Sequence, residues 1–289
     1  MNLWQQYLRP VSVDEAVESL VSAPGPALPL AGGTDVLLDL RQGSHSPVHT
    51  IVDLTAIPEM QLLEIRKEQL FIGAGAPISR IAADALVTRH ARALAEACDL
   101  IGGPQVRNVA TLGGNVAHAL PAADGTIALL CLDAMAEIAG PDGGRKVPLQ
   151  ELFLGPGKSA LQTGEIIIGF YLPLCEEGRA CAFRRIMRPQ GVALPILNLA
   201  VWLERDGNTV RDIRIAVGPG GGVPFRARKA EAFFAGKEYT AENRASALEV
   251  LAAEASFRSS PQRASAEYRY HLVGTLLSET LETAWERAR

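Results

Sequence analysis

Two diglycine turns, about eighty residues apart, hold the residues best suited to chemistry in this chain of 289 residues. The first is Ala31-Gly32-Gly33-Thr34-Asp35, at the end of an apolar run. The second is Thr111-Leu112-Gly113-Gly114-Asn115, which closes a Gly/Pro-rich loop. Glycine tolerates positive φ and lets a ligand come close to the main chain. Oriented backbone N–H groups at such turns and at helix starts bind phosphate without lysine or arginine. In the first turn the N–H groups of Gly33, Thr34 and Asp35 are expected to point outward together, joined by the Thr34 hydroxyl. In the second, Thr111 brings a hydroxyl and Asn115 an amide, again beside bare backbone donors. Asp124, in Pro121-Ala122-Ala123-Asp124, is placed to accept from ribityl or ribose hydroxyls. Two such turns facing each other would hold a pyrophosphate from both sides, so a flavin dinucleotide is the first ligand to consider. Either turn alone also reads as a plain chain reversal.

Other chemistries find little support. Gly73-Ala74-Gly75 starts like a Rossmann fingerprint, but Ile78 stands where the third glycine belongs. Cys98, Cys131, Cys175 and Cys181 include no C-x-x-C pair and no histidine at ligand spacing, so this chain is expected to hold no metal of its own. His45, His49, His90, His118 and His271 are scattered, and no nucleophile elbow is present, so no catalytic side chain is assigned. His118, three residues past Asn115, is the one histidine worth testing. A net charge of −4 argues against a nucleic-acid partner. No apolar run nears the roughly 20 residues that span a bilayer. There is no basic amphipathic helix and no leader-like N-terminus, so a cytoplasmic protein without a membrane partner is expected.

The elements that must position the turns divide the chain into three parts. Over residues 1–57, a Ser12/Glu15 capping box opens a helix, a short strand at Ala27 to Leu30 leads into the first diglycine, and Thr50 to Leu54 is the next strand. That order predicts a mixed or parallel sheet. Over 58–174, a hairpin turns at Lys67-Glu68, helices cover 79–86 and 92–100, and Ile166 to Leu172 is a strongly apolar strand. Over 175–289, three strands (181–187, 195–204 and 209–217) precede three helices (227–234, 241–253 and 261–287). Ser260 is expected to cap the last helix and Pro261 to take its first position.

The two turns, read with their flanks, resemble a known family. Ala31 to Asp35 looks like its first FAD motif, and Ile101 to Asn115 looks like its long second one, with Pro121 to Asp124 in the expected place. Ala264 to Leu277, with Glu267-Tyr268-Arg269, resembles the last helix of its C-terminal domain. The family is the FAD-binding medium subunit of molybdenum hydroxylases of the xanthine, carbon monoxide and aldehyde dehydrogenase type. The resemblance implies an α+β architecture: a two-subdomain FAD-binding fold of the vanillyl-alcohol-oxidase (PCMH) type, then a C-terminal α+β domain with a three-stranded antiparallel sheet plus helices. It implies that Leu30, Ala31, Gly32, Gly33, Thr34 and Asp35, with Thr111, Gly113, Gly114 and Asn115, surround the FAD pyrophosphate. Ile101 would lie by the isoalloxazine ring, Asp124 on the ribityl-phosphate side, and Leu161 and Ile167 against the flavin, with Lys158 approaching it. It further implies an iron–sulfur small subunit with [2Fe–2S] clusters, a large subunit with the molybdenum cofactor, and an external acceptor such as NAD, oxygen or quinone.

The chain also departs from the family. Ala27-Leu28-Pro29-Leu30 lacks the lysine that many members have before the first diglycine. Residues 191–196 lack an acidic residue often found there, and no four-cysteine insertion is present. A self-contained flavoprotein oxidase or dehydrogenase and a non-catalytic binding scaffold are the alternatives.

Overall fold

The computed structural model describes residues 3–188, 194–261 and 263–289. The first part forms a three-stranded sheet in which Thr50–Asp53 lies between Gln6–Leu8 and Ala27–Leu30, all parallel. The short, largely exposed edge strand Gln6–Leu8 has too little apolar alternation to show in the sequence. Helix Val13–Val21 begins where the Ser12 hydroxyl accepts from the Glu15 N–H (3.2 Å), and it buries Ala16 and Leu20.

The second part is a five-stranded antiparallel sheet in the order Leu63–Arg66, Gln69–Gly73, Ile166–Pro173, Met135–Gly140, Gly143–Pro148. Its first hairpin turns at Lys67 and Glu68, both at positive φ (46° and 62°), as a two-residue loop requires. The central strand Ile166–Pro173 is buried along almost its whole length, in accord with its apolar sequence. The helix expected over 79–86 is two helices, Ile78–Ala83 and Ala85–His90. Asp84 separates them because its carboxylate caps the second, accepting from the Leu86 and Val87 N–H groups at 2.8 and 3.0 Å. The loop expected between residues 101 and 115 contains two short helices, Pro104–Arg107 and Leu112–Ala117. Pro104 sits in the first turn of one, and Thr111 caps the other.

In the third part the long antiparallel strands are Arg179–Met187, Pro195–Asp206 and Thr209–Gly218. Two-residue strands, Phe225–Arg226 and Lys237–Glu238, add to the last of these, so the expected three-stranded sheet carries two small extensions. Helices Arg228–Phe234, Ala241–Glu254 and Ala266–Arg287 follow. The last helix starts later than expected. Ser265, not Ser260, is its cap, with its hydroxyl accepting from the Tyr268 N–H at 3.1 Å. The reason lies in the first turn of that helix. Buried Arg269 donates to the Ile196 carbonyl (3.0 Å) and to the Arg258 carbonyl, which ties the segment ahead of the helix to strand Pro195–Asp206, and the Arg263 N–H donates to the Ser260 carbonyl (3.2 Å), a turn rather than a helix start. The acidic-residue departure at 191–196 falls in part on 191–193, outside the described residues.

Helix Asp124–Cys131 joins the second and third parts. All eight of its residues are buried, and it packs against strands Pro195–Asp206 and Thr209–Gly218. A buried ion cluster reinforces the joint: Arg226 forks onto Glu231 (2.8 Å) and also meets Asp133, just past the helix end.

Candidate cofactor-binding site

The first diglycine turn joins the end of strand Ala27–Leu30 to helix Val36–Gln42. Gly33 has φ +67°, a conformation that a side chain would strain. The Gly33 and Asp35 carbonyls accept from the Leu37 and Asp39 N–H groups (3.1 and 2.8 Å). Among the described residues, the N–H groups of Gly32, Gly33, Thr34 and Asp35 donate to no main-chain carbonyl. They form a nest of unspent donors at a helix start, the arrangement that binds phosphate oxygens. Gly32 explains why the turn is diglycine: a Cβ there would overlap the Val109 carbonyl and lie 2.7 Å from the Ala110 Cα. The turn is therefore seated directly on the backbone that leads to the second motif.

The second turn differs from expectation, because the backbone donors of Gly113, Gly114 and Asn115 are already used. Gly113 N–H donates to the Ala74 carbonyl (2.8 Å) and Asn115 N–H to the Thr111 carbonyl (3.1 Å). The Gly114 N–H donates to the Thr111 hydroxyl oxygen (3.1 Å). Capping by Thr111 turns this motif into a helix start that satisfies itself. The Asn115 side-chain oxygen accepts from the Thr126 N–H (3.2 Å). The side-chain donors left for a ligand are the Thr111 hydroxyl proton and the Asn115 amide NH₂. Glycine at 113 allows close packing on Ala74, whose Cβ would lie 2.7 Å from an added one. Glycine at 114 keeps open space, since a Cβ there would meet only the Thr111 hydroxyl, at 3.2 Å.

Asp124 is buried at the start of its helix, and its carboxylate is held from two sides. Arg185 Nη1 donates to one oxygen and Asn198 Nδ2 to the other, both at 2.6 Å. Burial pushes the Asp124 carboxyl above its usual value and outweighs the opposing pull of Arg185 and Asn198. Arg185 and Asn198 lie on neighbouring strands of the third part, so nothing in sequence spacing relates them to Asp124. The Arg185 side chain is 6% exposed, and its Nε has no partner among the described residues. A buried N–H without an acceptor costs about 1–3 kcal/mol, so this atom suits an acceptor brought by a ligand. Asn198 Oδ1 is likewise unpartnered.

These elements enclose one cleft of about 1290 Å³. Ala31, Gly32, Gly33, Thr34, Asp35, Ile101, Thr111, Gly113, Gly114, Asn115, Asp124, Leu161 and Ile167 all line it. Leu30 does not; at 8% exposure it lies in the core beneath the turn. Lys158 is also not part of the lining, whereas Arg185, His45 and His118 are. A donor nest, side-chain donors beside it, apolar walls at Ile101, Leu161 and Ile167, and an orphaned guanidinium N–H fit a flavin dinucleotide. Among the described residues, no group of three or more His, Cys, Asp or Glu is placed to hold a metal ion.

Fold and site together define an FAD-binding flavoprotein domain joined to a C-terminal α+β domain. Comparison with known proteins agrees. Residues 3–175 match the family model for the FAD binding domain in molybdopterin dehydrogenase. Residues 181–284 match that for the CO dehydrogenase flavoprotein C-terminal domain. The chain is 32% identical over 288 residues to the putative xanthine dehydrogenase FAD-binding subunit of Escherichia coli (strain K12), covering 96% of this chain and 95% of that one. It is 30% identical over 285 residues to the carbon monoxide dehydrogenase medium chain of Hydrogenophaga pseudoflava, covering 98% and 97%. In three dimensions it superposes on a chain of the carbon monoxide dehydrogenase from that organism, in a form lacking the Mo-pyranopterin moiety of the cofactor. That match has a TM-score of 0.94 and 29% identity, and it covers 100% of both chains. The chain belongs to the FAD-binding medium subunits of the molybdopterin dehydrogenases and is thus an oxidoreductase subunit.

Proposed function

We propose that this chain binds FAD in the cleft between its three parts and serves as the electron-exit subunit of a heteromeric molybdenum hydroxylase. In this reading an iron–sulfur small subunit delivers electrons taken from substrate at a molybdenum cofactor in a large subunit, and an external acceptor removes them. Bound FAD supplies the capacity to store two electrons and release them. The residues of this chain bind, orient and tune it. The nest at Gly32 to Asp35 takes the diphosphate. Thr111 and Asn115 donate from the opposite side, and Ile101, Leu161 and Ile167 give the flavin apolar contact. Asp124 holds Arg185 so that its free Nε–H reaches a cofactor acceptor atom, and its remaining lone pairs take a hydroxyl. Residues 1–57 and 58–174 would be the two FAD-binding subdomains and 175–289 the C-terminal domain. Among the described residues no helix is long and apolar enough to cross a membrane, and the reading places the assembly in the cytoplasm.

The observation that carries this reading is the unspent donor nest at Gly32 to Asp35, seated on the second motif inside one large cleft. The purified chain is expected to take up FAD and turn yellow, and to copurify with a cysteine-rich and a molybdenum-binding subunit. A chain that stays colourless after incubation with excess FAD would overturn it. Turnover of an organic donor by the isolated chain would favour a self-contained flavoenzyme instead.

A further inference from the structure

Arg107 ends the short helix Pro104–Arg107 and does not line the cleft, although its neighbours Ile101, Gly102 and Val106 do. Its Nη1 donates to the Ile101 carbonyl (3.1 Å) and to the Gly102 carbonyl (2.7 Å). Two carbonyl oxygens thus converge on one nitrogen. Carbonyl dipoles that point at the same place repel each other unless a cation lies between them, and hydrogen bonds from a guanidinium are roughly twice as strong as neutral ones. Both carbonyls directly follow helix Arg92–Leu100, at the end where its macrodipole is negative and a cation is favourable. Among the described residues the Arg107 side chain hydrogen-bonds to these carbonyls and to no carboxylate.

The same bend is fixed from its other sides. The Ile101 N–H donates to the Cys98 carbonyl (3.2 Å), so the peptide units on both flanks of Ile101 are held. Gly102 is at φ +53°, and a Cβ on it would lie 2.8 Å from Val106 Cγ1, so the bend closes onto the short helix. The Ala110 carbonyl accepts from the Ile78 N–H (2.9 Å) and anchors the far end of the segment. Ile101 is half-buried, packs on the main core and gives the cleft an apolar wall. A wall residue on a bend, outside any helix or strand, keeps its place only while the bend keeps its shape.

We propose that Arg107 is a positioning residue for the flavin: by clamping the Ile101 and Gly102 carbonyls it holds Ile101 at the ring, without itself touching the cofactor. The proposal rests on the reading of Ile101 as a flavin contact and assigns the residue that enforces it.

The test is a pair of double-variant cycles on the full chain, stripped of flavin and titrated with FAD. The visible absorption band of the bound flavin is recorded for each protein. Ile101→Ala and Arg107→Met are each expected to weaken FAD binding about tenfold and to shift the flavin band in the same way. Ile101→Ala/Arg107→Met is expected to bind FAD no more weakly than the poorer single variant, because both changes undo one contact. Thr34→Val, in the donor nest, is expected to leave the band unshifted and to add its loss to that of Arg107→Met. Arg107→Lys keeps the charge and changes the clamp; it runs through the same cycles and is expected to show the same pattern with a smaller loss. Additive losses for Ile101 and Arg107, or an unshifted band in Arg107→Met, overturn the proposal and leave Arg107 a helix-end cap. Non-additivity of Arg107→Met with Thr34→Val also overturns it, by showing that the whole cleft has collapsed. Unchanged FAD affinity in Ile101→Ala sinks the reading of Ile101 as a flavin contact, and the proposal with it. A wild-type chain that cannot hold FAD at all sinks the reading of the cleft.

Discussion

Gly32 packs its bare Cα against the Val109 carbonyl, main chain on main chain. This contact seats the first donor nest on the segment that leads into the second motif, and it separates two roles for glycine in one site. At Gly32 the missing side chain permits the fold of the cleft; at Gly114 it leaves open space in the cleft lining.

Substitution should therefore separate the two roles. Gly32→Ala pushes against backbone that cannot rotate away and is expected to cost about 1–3 kcal/mol of stability as well as FAD. Gly33→Val forces a side chain into positive φ, at about 1–2 kcal/mol, with the same loss of flavin. The added Cβ of Gly114→Val meets only the Thr111 hydroxyl, and this variant should lose FAD with a smaller change in Tm than the other two. Thermal melting and the visible flavin spectrum of each variant check this. Full flavin occupancy in Gly114→Val would remove the second turn from the site.

Arg185 and Asp124 are both nearly fully buried, with side chains 6% and 5% exposed. Arg185→Met leaves the carboxylate with Asn198 alone and is expected to destabilise the chain by about 3–5 kcal/mol. Arg185→Met/Asp124→Leu removes both charges and should recover most of that loss. Urea denaturation measures both variants. A double variant no more stable than the single one would show that packing, not the stranded charge, sets the cost.

Acid should act on the same pair. The Asp124 carboxyl lies above its usual value when folded, so it takes up its proton at a higher pH in the folded chain than in the unfolded one. The cost of its buried charge is present above that pH and is relieved as pH falls through it, so this group does not drive acid unfolding. Protonation instead releases Arg185. Bound FAD is expected to fall as pH drops towards the ordinary Asp value of about 3.9 from above. Asp124→Asn should be flat over the same range. Fluorescence of released flavin measures the two curves, and identical curves would take Asp124 out of the binding site.

The thiols give an independent check on packing. Cys98, Cys131 and Cys181 are buried, and Cys175 is half-buried. Burial raises all four, with Cys181 pushed up to about 12. A thiol reagent at neutral pH should modify Cys175 alone, slowly, in the native chain, and all four thiols in denaturant. Rapid native modification of Cys131 would show that helix Asp124–Cys131 is not sealed between its two sheets.

Much of the architecture is legible locally. The Ser12 cap, the Lys67-Glu68 hairpin and the apolar strand at 166–172 follow from capping chemistry, two-residue turn geometry and hydrophobic runs, all of which act within a few residues. The two glycine turns are visible for the same reason, since close approach and positive φ demand that residue type. What the chain alone could not decide was which donors remain free. Thr111 spends the Gly114 N–H in its own cap, and Ala74, thirty-nine residues earlier, takes the Gly113 N–H. Nor could it show that Arg185 and Asn198 close on Asp124 from the sheet of the third part, or that Arg269 ties down the loop before Ser265. Those pairings depend on which strands lie side by side. Burial then sets their strength, because a charge or an N–H removed from water must find its partner wherever the fold has placed one.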